Sequence, residues 1–402
     1  MTGNPDPAMQ EQRFLWLYAL AWAGGCIAYT PFLTVLLPVR VSLAAETGAG
    51  PAAVDWLAYL TFTGAICASA GNILFGWLSD ITGNRRGWIA AGLILSSAAL
   101  VSMPLAQTLP AQIGLIAVWQ LMLNMMLGPL AAWAGDCVPD RQKGRLGGLL
   151  SVAPAMGGAA GMLVTIPGLA GPDARLWIVA ALVACAILPV LIFGRPRAFP
   201  ELTRRSDEPG HATVDRQPHG PMVRMWLARC LIQVSEAALF AFMFLWFRTL
   251  QSDFSDASTS RVFGLVLVAS IPVAMLAGRW ADQIGRPVLP LVLATGSVAF
   301  GLIGMSFAPT IGFAIAGYAI FCLSAAVFLA LHSAQTLRYL PRPERRGRDI
   351  GIFNLTNTFP ALLAPWLTLA MVPVVGFEGL FLLLAGLALL AGLLLVPLMR
   401  AR

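Results

Sequence analysis

Charged residues are scarce in this sequence. Only 11% of its 402 residues are Asp, Glu, Lys or Arg, whereas a soluble domain usually carries about 25%. Apolar runs of about twenty residues recur along the whole length, and each is long enough to cross a hydrocarbon core of ~30 Å. The runs are continuous and do not alternate, which predicts helices and excludes the strands of a membrane barrel. The composition therefore excludes an ordinary soluble domain and predicts an all-α membrane protein in a lipid bilayer.

Sequence patterns that support catalysis are also missing. There is no P-loop, so ATP is not expected as the energy source. No Ser-His-Asp arrangement stands out, and the six cysteines lack metal-ligand spacing and are expected to be small buried hydrophobic residues. The net charge of +7 does not indicate nucleic-acid binding, because the arginines fall in short segments between apolar runs. We predict no enzyme activity, no cofactor and no metal site.

Twelve transmembrane helices are predicted, in two pseudo-symmetric halves of six. The first six span about residues 14–37, 53–78, 87–107, 110–135, 146–169 and 175–194, and the second six about 223–249, 261–281, 288–308, 311–338, 349–373 and 377–399. Residues 195–221 are polar and without periodicity, which predicts a central linker. The predicted domains are therefore an N-terminal half (1–194), a cytoplasmic linker (195–221) and a C-terminal half (222–402).

The distribution of arginine and lysine predicts the orientation in the membrane. With the N-terminus placed in the cytoplasm, 21 of these residues fall in inside segments and only 4 in outside segments. Positive charge concentrates on the cytoplasmic side of membrane proteins. Residues 1–12 also lack the basic region of a cleaved signal peptide. We expect a multi-pass protein of the plasma (inner) membrane, with a retained first helix and both termini in the cytoplasm.

Two short motifs occur twice along the chain. Gly76–Arg86 and Gly278–Arg286 both read G-x-x-x-D-x-x-G followed by arginine, with their aspartates 202 residues apart. Two basic segments that follow the fourth and tenth helices have their glycines, Gly144 and Gly347, 203 residues apart. Matching offsets indicate a duplicated unit. Parallel halves of six helices, with a substrate site near the membrane midplane, are typical of one large class of transporters.

At these motifs the chain resembles the major facilitator superfamily, and the resemblance covers nearly the whole length. It implies alternating access by rocking of the two halves. It also implies that the motif aspartates pair with arginines and a helix end across the interface of the halves in the outward-open state. This conformational latch would comprise Asp80, Arg85, Arg86, Asp136, Asp282 and Arg286. The alternative is that these residues are loop charges placed only by membrane topology.

Shorter matches point to narrower branches of that family. Asn124, Gly128, Pro129 and Asp136, together with Thr30-Pro31-Phe32, resemble motifs of the glycoside and sucrose cation symporters. The arginine expected in the fourth helix is Ala131 here, which puts sugar specificity in doubt. The segment 153–158 partly resembles a motif of drug/proton antiporters, or it reflects close helix packing through small residues.

Glu236 is the carboxylate predicted to lie deepest in the membrane. It follows Arg224 by twelve residues, or about 18 Å of helix. Charged side chains inside a bilayer are costly and are usually functional or paired. We therefore predict Glu236 as the proton-coupling residue, with a structural pair with Arg229 as the alternative. His332 in the tenth helix is either a second proton-coupling residue or a hydrogen-bonded packing residue.

Amide and hydroxyl side chains within the helices are candidates for substrate binding. They offer both hydrogen-bond donors and acceptors at modest desolvation cost, which suits a polyol. The predicted substrate-binding residues are Tyr29, Gln120, Asn124, Gln233, Gln335, Asn354 and Asn357. Some of these amides are expected instead to hold helices together.

The sequence predicts a monomeric secondary active transporter. The preferred function is proton-coupled symport of a sugar or glycoside, and the alternative is a proton-coupled efflux antiporter for small organic compounds. A membrane scaffold on the same fold is disfavoured, because it needs neither Glu236 nor two intact latch motifs. The predicted partners are the small-molecule substrate and protons.

Overall fold

The computed structural model describes residues 9–46, 52–197, 199, 220–284, 288–339 and 346–399, and these residues form helices with no strand among them. The helices are α1 (Gln12–Pro31), α2 (Leu37–Glu46), α3 (Ala53–Thr82), α4 (Arg85–Val101), α5 (Leu109–Cys137), α6 (Asp140–Leu150), α7 (Ala153–Val164), α8 (Pro172–Phe193), α9 (Gly220–Leu250), α10 (Asp256–Ile284), α11 (Leu289–Ser306), α12 (Ile311–Tyr339) and α13 (Arg346–Leu395). Residues Phe32–Leu36 join α1 to α2 as a π-helical segment, and 3₁₀ turns occupy Met103–Leu105 and Val396–Met399.

Eleven helical segments among the described residues are long and apolar enough to cross a membrane. The last of them, Phe359–Met399, contains 41 residues and would be about 60 Å long as one helix, twice the ~30 Å hydrocarbon core. Gly376 interrupts it, because its φ of +68° and ψ of −177° are not helical. The segment therefore contains two crossings, and the predicted all-α membrane fold of twelve helices is confirmed.

The turn between α3 and α4 is shorter than the sequence predicted. Most of Gly76–Arg86 is helical, since α3 continues to Thr82 and α4 starts at Arg85. Gly83 adopts a φ of +62°, which glycine tolerates without strain. Asn84 then caps α4, accepting a hydrogen bond from the backbone N–H of Gly87 at 2.9 Å.

Several predicted helix boundaries differ from the structure, most of all in the first and fifth predicted helices. The first helix continues past residue 37 to Glu46, through the π-helical segment that follows Pro31. The fifth predicted helix (146–169) is two helices, α6 and α7, separated by two turn residues, and α6 already starts at Asp140. The first turn of α6 was predicted as a loop because its residues are polar, and polarity alone does not distinguish an exposed helix end from a loop.

The contacts divide the chain into two compact units. Unit 1 contains Met1–Pro31 and Cys67–Thr213, and unit 2 contains Phe32–Ile66 and Val214–Arg402. The first and second membrane helices thus each contribute one segment to either unit. The predicted division into halves at 1–194 and 222–402 follows the sequence repeat and stays a prediction, and most of the predicted linker lies outside the described residues.

Close approach of helix backbones characterises the interior of unit 1. A Cβ atom at Gly92 of α4 would lie 2.4 Å from the backbone nitrogen of Met126 in α5. Likewise a Cβ at Gly157 of α7 would lie 2.8 Å from the Thr30 hydroxyl oxygen of α1. Small residues allow such contacts between membrane helices. The Gly157 contact favours the close-packing interpretation of segment 153–158.

Unit 2 contains an equivalent contact. A Cβ at Gly301 of α11 would lie 2.7 Å from the backbone nitrogen of Phe321 and 2.8 Å from the carbonyl oxygen of Gly317, both in α12. In the predicted numbering of membrane helices, the Gly92 contact joins the third to the fourth and the Gly301 contact the ninth to the tenth. The same pair of helices is therefore packed through glycine in both predicted halves, as expected for a duplicated unit.

Candidate transport site and charge cluster

Arg85 lies at the centre of a charge cluster in unit 1. Its Nε donates a hydrogen bond to the Asp136 carboxylate at 2.9 Å, and its Nη2 forms an ion pair with Asp80. Its Nη1 donates to the Ser79 hydroxyl at 2.6 Å. The Arg85 side chain is only 14% exposed, compared with 60% for Asp80 and 34% for Asp136. One nearly buried arginine therefore neutralises two carboxylates that are partly exposed.

Three helix ends position this charge cluster. Asp80 lies in the last turn of α3, Asp136 is the penultimate residue of α5, and Arg85 is the first residue of α4. Asp80 and Asp136 lie at the C-terminal ends of their own helices, where the helix dipole disfavours negative charge. Arg85 offsets this unfavourable placement.

Arg86 contacts a different helix end. Its Nη2 donates to the carbonyl oxygen of Leu191 at 2.8 Å and also to that of Gly194, at the C-terminus of α8. Its guanidinium lies 5.8 Å from the ring centroid of Trp133, within the range of a cation–π interaction. Arg85 and Arg86 thus join four helices of unit 1. For the second copy of the motif, the Asp282 side chain and the whole of Arg286 lie outside the described residues.

A polar row occupies one face of α9 in unit 2. Arg229, Gln233 and Glu236 follow one another at spacings of four and three residues, so they share a helix face. The Nε of Arg229 donates to Oε1 of Gln233 at 3.1 Å. Arg229 and Glu236 also interact electrostatically, although two helical turns separate them. The contact between Arg229 and Gln233 is not evident from the sequence, where only the shared face can be read.

Two residues of α12 extend this polar surface. Tyr318 and Cys322 lie one turn apart on α12, and both are near enough to Glu236 to interact with it electrostatically. Tyr318 is 1% exposed. Neither residue was predicted to lie near Glu236, because a tyrosine and a cysteine in an apolar run resemble ordinary packing residues.

His332 of α12 contacts α9 near the start of that helix. Its Nε2 is 2.8 Å from the carbonyl oxygen of Met225, and the side chain is fully buried beside the ring of Phe328. A ring nitrogen held by a backbone carbonyl favours the packing interpretation, since the Nε2–H tautomer satisfies that carbonyl. Gln335 is 5% exposed, and its Oε1 has no hydrogen-bond partner in the described part of the chain.

Two candidate binding residues of unit 1 lie one turn apart in α5. Gln120 and Asn124 are buried in α5, and the Asn124 Nδ2 donates to the carbonyl oxygen of Gln120 at 2.9 Å. Asn72 of α3 donates to Asn124 Oδ1 at 3.4 Å. Asn72 was missed in the sequence, although an amide within an apolar run was an available signal. Through the hydrogen bond from Asn72, Asn124 connects α3 to α5, as expected of a residue that holds helices together.

The remaining predicted binding residues are Tyr29, Asn354 and Asn357. Tyr29 packs against Ala23, Cys26 and Ala153 of unit 1, and its hydroxyl lies 3.5 Å from the Cys26 sulfur. Asn354 and Asn357 lie in α13, but their side chains lie outside the described part of the structure. The structure thus places Gln120 and Asn124 together in unit 1, and Gln233 and Glu236 together in unit 2.

Comparisons with known proteins agree with the fold. The sequence matches the family model of the Major Facilitator Superfamily over residues 15–255 and 225–402. In sequence it matches no curated protein.

Similar solved structures are transporters. The human organic anion transporter MFSD10 (TETRAN) has a TM-score of 0.68 at 15% identity, over 96% of this chain and 99% of that chain. A point mutant of the nucleoside transporter NupG has a TM-score of 0.70 at 13% identity, over 96% of this chain and 99% of that chain. At such identities the likeness shows the fold alone. Because the family model matches along nearly the whole chain, the protein belongs to the major facilitator superfamily and is a multi-pass membrane transporter, not an enzyme.

Proposed function

We propose that this transporter couples the movement of a sugar or glycoside to that of protons, as a symporter that works by alternating access. The placement of Glu236 carries the proposal. Glu236 is the seventeenth of the 31 residues of α9, at the centre of a helix that crosses the membrane. A carboxyl group at this depth disfavours its own charged form unless a counter-charge approaches it.

Arg229 supplies the counter-charge in this proposal. Its guanidinium is held through Nε by Gln233, between Arg229 and Glu236 on the same helix face. When Glu236 releases its proton, attraction to Arg229 stabilises the new carboxylate. When Glu236 takes up a proton, Gln233 keeps the guanidinium hydrogen-bonded. Each protonation state of Glu236 thus has a defined arrangement of neighbouring groups.

The substrate class rests on the amides. Gln120 and Asn124 in unit 1 and Gln233 in unit 2 offer both donors and acceptors, which suits the hydroxyl groups of a sugar. The fold is shared with a nucleoside transporter, and a nucleoside is itself a glycoside. The resemblance of Asn124–Asp136 and of Thr30-Pro31-Phe32 to motifs of glycoside symporters supports the same class.

The second candidate is a proton-coupled antiporter that exports small organic compounds. The fold is also shared with an organic anion transporter, and Arg229 is a membrane-embedded cation that suits an anionic substrate. The motif at 153–158 lends this candidate little support, because Gly157 has a packing contact with α1 that explains it.

Uptake into proteoliposomes tests the symporter. The labelled probes are sucrose, glucose and uridine, each with and without an inward proton gradient. Glu236→Gln is the test variant and Glu378→Gln the matched control, since Glu378 is an exposed carboxylate of unit 2 outside the polar row. We expect gradient-stimulated uptake of one probe, lost in Glu236→Gln and kept in the control, while exchange of that probe across the membrane survives.

Two outcomes contradict the proposal. Undiminished accumulation by Glu236→Gln would remove the coupling role of this residue. Failure to take up any probe would remove the sugar and glycoside class and favour export, to be tested with dyes and organic anions.

A further inference from the structure

The segment before α1 is tied into unit 1 by buried side-chain amides. Gln10 and Gln142 are 3% and 7% exposed, although glutamine is usually a surface residue. Together with the backbones of Cys137 and Arg197 they form a connected set, here called the amide clamp. The clamp joins the segment before α1, the end of α5, the start of α6 and the segment after α8.

The Gln142 side chain pairs with the backbone of Gln10. The backbone N–H of Gln10 donates to Gln142 Oε1 at 2.7 Å, and Gln142 Nε2 donates to the Gln10 carbonyl oxygen at 3.1 Å. The Gln142 side-chain amide thus bonds both the backbone N–H and the backbone carbonyl of Gln10. Gln10 and Gln142, which are 132 positions apart in sequence, are thus joined by two hydrogen bonds.

The Gln10 side chain repeats this arrangement with Arg197. Gln10 Oε1 accepts from the backbone N–H of Arg197 at 3.0 Å, and Gln10 Nε2 donates to the Arg197 carbonyl oxygen at 3.2 Å. The same Nε2 donates to the carbonyl oxygen of Cys137 at 2.8 Å. Gln10 Oε1 also accepts from the backbone of Glu11 at 3.0 Å. All four hydrogen-bonding positions of the Gln10 amide are therefore filled.

The clamp adjoins the charge cluster through α5. Cys137 is the last residue of α5, and its carbonyl is one of those that a helix end leaves without an intrahelical partner. Gln10 satisfies it. The preceding residue, Asp136, receives the hydrogen bond from Arg85. The last turn of α5 is thus held from one side by Gln10 and from the other by Arg85.

We propose that Gln10 and Gln142 are positioning residues that fix the last turn of α5 and thereby hold Asp136 against Arg85. Gln10, which precedes α1, then helps to set the geometry of the charge cluster. The chain segment that follows α8 is bound by the same amide. The clamp requires neither a substrate nor Glu236, so its test is independent of the transport proposal.

The Cys137 thiol reports on the clamp. This residue is 8% exposed, so a maleimide reaches it only when the end of α5 opens locally. The experiment uses the detergent-solubilised full-length chain with the other five cysteines replaced by serine or alanine, and measures the rate of N-ethylmaleimide alkylation. Gln10→Glu keeps the shape of the side chain but cannot donate to the carbonyls of Cys137 and Arg197. Glu11→Gln is the control, because it removes an exposed ion pair of the Glu11 side chain with Arg197 at 3.6 Å and keeps the backbone hydrogen bond from Glu11 to Gln10.

We expect alkylation of Cys137 to be roughly tenfold faster in Gln10→Glu, as a buried carbonyl loses its donor. Gln142→Glu, which loses only the donation to the Gln10 carbonyl, is expected to accelerate it less. The control is expected to react at the unmodified rate. Equal rates in Gln10→Glu, Gln142→Glu and the parent would overturn the clamp, whatever their melting temperatures.

A double-mutant comparison tests the link to Asp136. Asp136→Asn removes the charge that Arg85 holds. If Gln10 acts through the last turn of α5, adding Gln10→Glu to Asp136→Asn accelerates alkylation by much less than it does in the parent. Full multiplication of the two effects would show that clamp and charge cluster are independent, and would refute the positioning role.

Discussion

Gly92 offers a direct test of the helix packing in unit 1. A methyl group added there by Gly92→Ala would lie 2.4 Å from the backbone nitrogen of Met126 and 2.8 Å from the Met125 carbonyl carbon. Ordinary contacts of a Cβ atom begin near 3.4 Å. The obstructing atoms are backbone atoms, so no side-chain rotation relieves the overlap. Helices α4 and α5 must therefore move apart by about 1 Å.

Overpacking of this kind costs roughly 1–3 kcal/mol. The gain in helix propensity from glycine to alanine, about 1 kcal/mol, offsets part of it. We expect Gly92→Ala to lower the melting temperature of the detergent-solubilised protein, measured by tryptophan fluorescence. Gly301→Ala is expected to do the same, because its Cβ would meet the backbone of α12 at 2.7 Å.

Gly114→Ala in α5 and Gly296→Ala in α11 are the matched controls. Neither has an atom within 4 Å of the added methyl group, so propensity alone acts and the melting temperature is expected to stay constant or rise. If Gly92→Ala were as stable as Gly114→Ala, the close approach of α4 to α5 would be refuted.

Three further predictions concern other parts of the structure. Arg85→Gln leaves two carboxylates without their counter-charge, one of them about two-thirds buried, and is expected to destabilise the protein by roughly 1–3 kcal/mol; the loss in melting temperature should shrink at high salt. Gly376→Ala forces a side chain into a φ of +68° and is expected to cost about 1–2 kcal/mol, measured against Gly386→Ala, which lacks that strain. His332→Leu leaves the Met225 carbonyl without its donor and should destabilise by roughly 1–3 kcal/mol, while the pH dependence of uptake stays unchanged; an altered pH profile would restore His332 as a proton-coupling residue.

Hydrophobicity made the membrane helices predictable, but not their ends. The central apolar stretch of each helix is set by bilayer thickness, so all twelve were recognised from the sequence. The polar residues Asp80–Thr82 and Asp140–Arg145 were taken for loops because hydropathy does not register backbone hydrogen bonds. The structure adds them to helices, and places Asp80 and Asp136 at helix C-termini.

The candidate site was only partly predictable, for a different reason. The shared face of Gln233 and Glu236 follows from helical periodicity within one segment. The contacts of Gln10 with Gln142 and Arg197 join segments more than a hundred residues apart, and a single sequence has no signal for such pairs. The role of His332 was likewise undecided until its neighbour, the Met225 carbonyl, was known.

The glycine turn at Gly376 has a practical consequence for topology mapping. Val375 and Phe377 both belong to the helices on either side, so Gly376 alone connects the last two crossings. An epitope tag or glycosylation acceptor inserted there would have to break helical hydrogen bonds. A failure to detect the reporter on either side of the membrane would then say nothing about orientation. The connection at Gln251–Ser255 before α10 is non-helical and accepts such a reporter with less disruption. The side of the membrane on which this connection is found, together with the number of crossings before it, determines the side of the N-terminus.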